Sequence, residues 1–166
     1  MMSTILSNSD IKSIHLLIST LKNGNKKNRK KMAEKAKEIL QLKYKVIGCG
    51  KQRIVYDLQN GYVLKIAFCK LGIKSNETEF KMYNIHCPPE LRKHLCPVIE
   101  LGQGWIIMRK MESEVPMNKD FDKMLTELKN KFLMYGINPN DLTKYNLALS
   151  ETGTITVIDY GNFKLK

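Results

Sequence analysis

The stretch Asp141-Leu142-Thr143-Lys144-Tyr145-Asn146 decides the fold together with Asp159-Tyr160-Gly161, which follows the Asn by thirteen residues. The apolar run Ile155-Thr156-Val157-Ile158 directly precedes Asp159 and predicts a β-strand. Each stretch alone is also typical of an ordinary turn or helix cap, because Asp, Asn and Gly are common there. The meaning of the two stretches therefore depends on what precedes them.

Two further segments lie upstream in the chain. Gly48-Cys49-Gly50 is followed by Val55, and Lys65 lies in the apolar run Tyr62-Val63-Leu64-Lys65-Ile66-Ala67-Phe68. Asn60-Gly61 predicts the turn of a hairpin that leads into this run. Glycines allow a backbone to close over phosphates without a Cβ in the way. A lysine among apolar neighbours is costly to bury unpaired, although a half-exposed lysine on an edge strand is an alternative.

In this order, the four segments resemble the glycine-rich loop, the lysine strand, the D-L-x-x-x-N catalytic loop and the D-[FY]-G turn of protein kinases. The resemblance covers residues 44–163. It implies an α+β, protein-kinase-like fold with a five-stranded antiparallel N-lobe that carries one helix, a reduced helical C-lobe and an N-terminal helical extension. It also implies that ATP and Mg²⁺ bind in the cleft between the lobes and that the chemistry is phosphoryl transfer.

The resemblance implies a role for each matching residue. Asp141 would orient the acceptor hydroxyl or accept its proton. Asn146 and Asp159 would bind the metal, since hard oxygen ligands suit Mg²⁺. Lys65 would contact the phosphates and pair with a glutamate of the next helix. We expect that partner to be Glu79, with Glu77 as the alternative.

The nucleotide itself would contact Gly48, Gly50, Val55 and Lys65. A hinge stretch made of Met111, Glu112 and Ser113 would contact the adenine through backbone groups. The third glycine of the kinase loop is Arg53 here. Its side chain is expected either to point out of the loop or to lend a positive charge to the phosphates.

The chain also departs from the kinase pattern. The His and Arg that commonly precede the catalytic Asp are replaced by Asn138-Pro139-Asn140, and residues 162–166 are all that follow the D-Y-G triplet. The sequence is thus similar to minimal kinase-like proteins of bacteria and phages, truncated after D-Y-G. The acceptor is expected to be a protein partner or the chain itself. The alternative is a pseudokinase-like module that regulates a host or partner protein.

The charge distribution and the kinase resemblance together divide the chain into a basic helical extension over residues 1–43, an N-lobe over 44–112 and a C-lobe over 113–166. Ser9-Asp10 predicts the start of a first helix, and a second amphipathic helix follows Gly24. We expect this pair to dock on the sheet of the N-lobe. A third apolar stripe predicts a helix over 119–135 whose stripe faces the core, made of Phe121, Met124, Leu125, Leu128, Phe132 and Leu133.

The net charge of +12 is concentrated at the start of the chain, where residues 1–45 hold 11 Lys and Arg against 3 Asp and Glu. The basic run is Lys26-Lys27-Asn28-Arg29-Lys30-Lys31. It is interpreted as a solvated connection between helices, and the alternative is weak binding to nucleic acid.

Length and composition predict one compact protein of 166 residues that is 43% hydrophobic. The sequence lacks an apolar stretch of membrane-spanning length and the order of charges of a signal peptide, so we expect a cytoplasmic protein without membrane contact. Its four cysteines, without a C-x-x-C pair, are expected to be reduced thiols. A zinc site built from His86, Cys87, His94 and Cys96 is the alternative.

Overall fold

The computed structural model describes residues 5–21, 29–111, 115–116, 118–150 and 152–166. Two compact units are formed. The first contains Met1–Glu77 and Val98–Lys110, and the second contains Thr78–Pro97 and Met111–Lys166.

The first unit combines two helices with a five-stranded sheet. The helices are α1 (Asn8–Ser19) and α2 (Arg29–Leu40), and the strands are β1 (Lys45–Cys49), β2 (Arg53–Asp57), β3 (Tyr62–Ala67), β4 (Val98–Gly102) and β5 (Trp105–Arg109). The strand order is β1-β2-β3-β5-β4, and every neighbouring pair is antiparallel. The predicted five-stranded antiparallel sheet of an α+β fold is therefore confirmed. Helix α3 (Lys70–Lys81) follows β3 and extends from the first unit into the second.

Helices α1 and α2 cover one face of this sheet. Ile54 of β2 lies opposite Ile66 of β3, which lies opposite Trp105 of β5. These three side chains share one apolar core with Ile14 and Leu40 of the helices. The predicted docking of the helical pair on the sheet is confirmed, and burial of apolar surface is its physical cause.

The start of α1 differs from the prediction. The N-cap is Ser7, whose hydroxyl accepts from the amide of Asp10, while the Asp10 carboxylate accepts from the Ser7 amide at 3.1 Å. This reciprocal arrangement satisfies two amides at once.

Near the other end of α1, Ile18 packs on Gly104 so closely that a Cβ added at Gly104 would come within 2.2 Å of Ile18 Cδ1. Gly24 lies outside the described residues.

The second unit is mainly helical, with two short strand pairs. Its elements are the end of α3 with a π-helical turn (Met82–His86), α4 (Pro89–Arg92), α5 (Lys119–Met134), β6 (Ile137–Asn138), a 3-10 turn (Lys144–Asn146), β7 (Leu147–Leu149), β8 (Ile155–Val157) and β9 (Lys164–Leu165). Strand β6 pairs with β9 and β7 with β8, both antiparallel. Phe121, Leu128 and Phe132 of α5 are buried, whereas Met124 is 45% exposed. The core role predicted for Met124 is therefore wrong.

Three findings concern the whole described part of the chain. Its helices include none with the length and apolar character needed to cross a membrane. Its His, Cys, Asp and Glu residues form no group of three or more that could hold a metal ion. The cysteines are free thiols, of which Cys87 and Cys96 are buried and Cys49 is exposed.

Candidate functional site

The sheet presents Lys65 on the face opposite to the helical pair. Gly48 of β1 lies opposite Val55 of β2, Val55 lies opposite Lys65 of β3, and Lys65 lies opposite Ile106 of β5. Directly opposed residues of antiparallel strands point to the same face. Three of the predicted nucleotide-binding residues therefore form one row. Lys65 is only 6% exposed, so its charge is largely removed from water.

The β1–β2 turn is a tight one, closed by a hydrogen bond from the Gly50 amide to the Arg53 carbonyl at 3.0 Å. A Cβ added at Gly48 would meet only the Val55 side chain, at 3.6 Å, and one added at Gly50 would meet only the Arg53 carbonyl, at 3.8 Å. Both are ordinary contacts. The fold itself therefore does not require glycine at either position.

Arg53 does not point out of the loop into solvent, which was the first of the two expected positions. Its side chain is buried, and its guanidinium donates to Asn76 Oδ1 of α3 at 3.1 Å. The Asn76 amide in turn donates to the Gly104 carbonyl at 3.2 Å. The chain thus uses the position of the third glycine to connect β2, α3 and the β4–β5 turn. Asn76 was not identified from the sequence.

The loop is also held from its other side. The Gln52 carbonyl accepts from the Phe68 amide at 3.0 Å, and Gln52 Oε1 accepts from the Ser75 hydroxyl at 3.1 Å. Gly72 of α3 lies against the same carbonyl, since a Cβ there would approach it to 2.4 Å. The tip of the β1–β2 turn is therefore fixed to the beginning of α3. Of the predicted hinge, Met111 is half-buried, whereas Glu112 and Ser113 lie outside the described residues.

The second unit contains Asp141 in a loop that hydrogen bonds hold in place. Asp141 has a left-handed backbone with φ of 65°, which is uncommon for a residue with a side chain. Asn146 Nδ2 donates to the Asp141 carbonyl at 2.8 Å, and Asn162 Nδ2 donates to Asp141 Oδ2 at 3.0 Å. Asn140 Nδ2 also donates to the Asn162 carbonyl, at 3.2 Å. The carboxylate is exposed and held in one direction.

Asn146 and Asp159 are brought together by backbone pairing. The amide of Ile158, which directly precedes Asp159, donates to the Asn146 carbonyl at 2.8 Å. Because Asn146 uses its Nδ2 to hold Asp141, its Oδ1 remains as the side-chain atom with lone pairs for a cation. An amide oxygen and a carboxylate are the types of ligand that Mg²⁺ prefers. The residues present therefore fit the metal that the sequence implies.

Tyr160 fixes the backbone next to Asp159. Its amide donates to Glu79 Oε1 at 3.1 Å, and its hydroxyl donates to the Cys96 carbonyl at 2.7 Å. The ring is fully buried and contacts Phe163 at a centroid distance of 5.9 Å. Burial, followed by the negative charge of Glu79, raises the pKa of Tyr160 well above its ordinary value. Tyr160 thus forms a buried aromatic plug behind Asp159.

Burial distinguishes the two candidate glutamates of α3. Glu79 is buried and binds the backbone of the D-Y-G turn, whereas Glu77 is exposed. Only Glu79 is therefore placed to serve as a buried carboxylate. Its expected pairing with Lys65 stays a prediction.

Comparison with solved structures identifies the architecture. WbdD in complex with a kinase inhibitor aligns over 71% of this chain with a TM-score of 0.56 and 14% identity. A complex of APH(2")-IIa with streptomycin and ATP aligns over 81% at a TM-score of 0.55 and 14% identity. The chain has a protein-kinase-like fold. Rio2 kinase from Chaetomium thermophilum, in its ADP/Mg²⁺-phosphoaspartate complex, aligns over 83% at a TM-score of 0.55 and 13% identity.

The similarity extends over only part of some of these proteins. The chain spans 32% of the WbdD chain, 54% of the Rio2 kinase chain and 71% of the APH(2")-IIa chain. No protein-family model matches the sequence, and no curated protein matches it. At such low identity the likeness concerns the fold and not the activity.

Asn162 is the second residue of the site that the sequence interpretation missed. It directly follows Asp159-Tyr160-Gly161, and its contact with Asp141 joins positions 21 residues apart. The available signal was an amide side chain immediately after the D-Y-G triplet. Position alone did not distinguish it from a turn asparagine.

Proposed function

We propose that this protein binds ATP with Mg²⁺ and transfers a phosphoryl group to a hydroxyl of a protein partner or of its own chain. The observation that supports this proposal is the hydrogen-bonded loop around Asp141. Asn146 and Asn162 donate to Asp141, and the amide of Ile158, next to Asp159, donates to the Asn146 carbonyl. Phosphoryl transfer requires mainly positioning and charge neutralisation, which such groups supply.

Nucleotide binding is assigned to the row on the face of the sheet opposite to the helical pair. Val55 would pack on the base, Gly48 and Gly50 would allow the loop backbone to approach the phosphates, and Lys65 would neutralise phosphate charge. Met111, Glu112 and Ser113 would contact the adenine. We assign Glu79 as the partner of Lys65, because a buried ammonium needs a buried anion.

Phosphate chemistry is assigned to the second unit. Mg²⁺ would bind through Asn146 and Asp159 and would supply charge neutralisation when bound. Asp141 would accept a hydrogen bond from the acceptor hydroxyl, and Asn162 would keep its carboxylate in the required direction. Asn162 thereby acts as a positioning residue.

A regulatory binding module is the second candidate function. It is favoured by the attachment of the β1–β2 turn to α3 through Gln52, Arg53 and Gly72. Release of product often requires such loops to open, and a fixed loop favours retention of nucleotide over turnover. In this case ATP would bind and transfer would be absent.

The test is a thermal-shift titration with ATP, with and without Mg²⁺, on the wild type and four variants. A ligand that binds only the folded state stabilises it by about 2.7 kcal/mol at a hundred times its Kd. We expect Lys65→Met and Asp159→Asn to lose the Mg²⁺-dependent shift and Asp141→Asn to keep it. Lys51→Met is the matched control, because Lys51 is an exposed lysine near the tip of the same loop.

Equal ATP affinity in the wild type, Lys65→Met and Asp159→Asn would refute nucleotide binding at this site. Intact-mass analysis after incubation with ATP, alone and with candidate partners, then separates the two functions. Phosphate incorporation that disappears in Asp141→Asn supports transfer. ATP binding without incorporation supports the binding module.

A further inference from the structure

The second unit contains a cavity that shares no residue with the proposed site. It has a volume of about 310 Å³, which is at the lower end of the range of small-molecule sites. Its lining comes from the loop before β4, from one side of α5 and from the β7–β8 turn. The residues are Lys93, His94, Met124, Glu127, Leu128, Lys131, Thr154 and Ile155.

The cavity has an apolar part and a charged part. Met124, Leu128 and Ile155 supply the apolar part. Met124 is unusual because it belongs to the apolar stripe of α5 but is 45% exposed. An exposed methionine beside buried Leu128 and Ile155 offers a surface for an apolar group of a ligand.

The charged part is cationic. The charged residues that line the cavity, within the described ranges, are Lys93, Lys131 and Glu127, so two positive charges face one negative charge. Both lysines act on His94, whose pKa is lowered first by burial and further by the charges of Lys131 and Lys93. The same two charges would attract an anion placed near the imidazole.

His94 is fixed in one orientation. Its Nδ1 lies 2.9 Å from the Ile155 carbonyl oxygen. A carbonyl oxygen only accepts, so Nδ1 carries the proton and Nε2 holds the lone pair of the neutral ring. The β7–β8 turn and the loop before β4 are thereby joined at the cavity, and its lining is pre-organised.

We propose that this cavity binds a small organic anion that carries an apolar group, such as an aryl or alkyl phosphate or carboxylate. Lys93 and Lys131 bind the anionic head, and Met124, Leu128 and Ile155 contact the apolar body. Glu127 lowers the affinity for anions, so removal of its charge should strengthen anion binding. The proposal is independent of nucleotide binding at the kinase-like site.

The probe is phenyl phosphate, titrated into the full chain and followed by NMR of the histidine ring protons. The chain has three histidines, and His15 and His86 do not line the cavity, so they serve as internal references. We expect a saturable shift confined to His94, because a bound anion counteracts the effect of the lysines on its ring. Phenol carries only the apolar group and inorganic phosphate only the anionic group, so each should bind more weakly than phenyl phosphate.

Charge variants give the decisive comparison. Lys93→Gln and Lys131→Gln should each weaken binding by roughly two- to fivefold, and Glu127→Gln should strengthen it by a similar factor, as expected for one partly exposed charge contact. Lys129→Gln is the matched control, since Lys129 is an exposed lysine of α5 that does not line the cavity. Opposite effects at positions 127 and 131 cannot arise from misfolding.

Three results would overturn the proposal. One is the absence of a saturable His94 shift at millimolar phenyl phosphate. Another is equal binding of inorganic phosphate, which would show that the apolar part has no role. The third is equal weakening by Lys129→Gln and Lys131→Gln, which would show general attraction to a basic protein.

Discussion

Tyr160 connects three parts of the second unit through its amide, its hydroxyl and its ring. The amide binds Glu79 of α3, the hydroxyl binds the Cys96 carbonyl before β4, and the ring contacts Phe163. The side chain therefore stabilises the backbone from which Asp159 projects. A phenylalanine would keep the ring contacts and lose one buried hydrogen bond.

We predict that Tyr160→Phe lowers the free energy of unfolding by about 1–2 kcal/mol, because the buried hydrogen bond from the Tyr160 hydroxyl to the Cys96 carbonyl is lost. Binding of Mg-ATP should be retained, since the amide contact to Glu79 persists. Chemical denaturation measures the first effect and the thermal-shift titration the second. Tyr135→Phe serves as the control, because Tyr135 is 49% exposed. An equal loss in both variants would contradict the prediction.

His94 gives the stability a defined pH dependence. Burial, assisted by the charges of Lys131 and Lys93, lowers the pKa of His94 from its ordinary value of 6.5. The unfolded chain therefore binds a proton more readily than the folded chain, and stability is lost as the pH falls below about 6.5.

Accordingly, the free energy of unfolding should fall less between pH 7 and pH 5 in His94→Gln than in the wild type. Denaturant titrations across this range measure the difference. His86→Gln, at an exposed histidine, should follow the wild type. Parallel curves for His94→Gln and the wild type would show that His94 does not contribute.

The role of a residue could be predicted from the sequence where a local pattern indicates it. Lys65 was assigned from the Asn60-Gly61 turn and the apolar run, and the structure places it in the middle of β3. Asn162 and Asn76 could not be found this way, because their partners are 21 and 23 residues distant. Such contacts follow from tertiary packing and leave no local periodicity.

Among the elements, α3 and the β1–β2 turn are in close contact at Gly72. A Cβ at this helical position would lie 2.4 Å from the Gln52 carbonyl oxygen and 3.0 Å from Ala67 Cβ. Gln52 belongs to the turn that we assign to the phosphates. Packing at Gly72 therefore determines where the turn lies.

We predict that Gly72→Ala destabilises the fold by roughly 1–3 kcal/mol, the usual cost of overpacking, despite the better helix propensity of alanine. Gly50→Ala should change stability by less than about 0.5 kcal/mol, as for an unstrained exposed site. Gly50→Ala should nevertheless weaken ATP binding, because the added Cβ would face the phosphates. Denaturation and ATP titration of both variants test the contrast, and stable Gly72→Ala protein would contradict it.

The boundaries of the elements show the limits of sequence patterns. The start of α1 was expected at Ser9-Asp10, but Asp10 is the third helical residue of a capping box that begins at Ser7. Residue type alone allows the helix to begin at either serine, because serine is a common N-cap residue. Only the three-residue spacing of Ser7 and Asp10 favours Ser7. Strands β6 and β9 contain two residues each, too few for an alternation to be recognised.

For the whole molecule, a net charge of +12 predicts attraction to polyanions. The basic run contributes Lys30 and Lys31, which are exposed on α2. Lys26 and Lys27 lie outside the described residues. The opposite side of α2 packs in the core through Ala33, Ala36 and Leu40, so the lysines are free to face solvent.

We predict weak binding to nucleic acid without sequence preference and with a steep dependence on salt, because each phosphate contact releases counterions. Replacing Lys26, Lys27, Arg29, Lys30 and Lys31 by glutamine should flatten this dependence. Fluorescence anisotropy with two unrelated oligonucleotides at several salt concentrations measures both effects. A tight complex with one sequence that resists salt would show a dedicated nucleic-acid function instead.

The left-handed backbone of Asp141 lowers the stability of the fold. A residue with a side chain in this conformation costs roughly 1 kcal/mol or more, whereas glycine adopts it freely and asparagine tolerates it well. Substitution of Asp141 by glycine or asparagine would therefore reduce this cost. The backbone conformation alone therefore gives no reason for an acid at position 141.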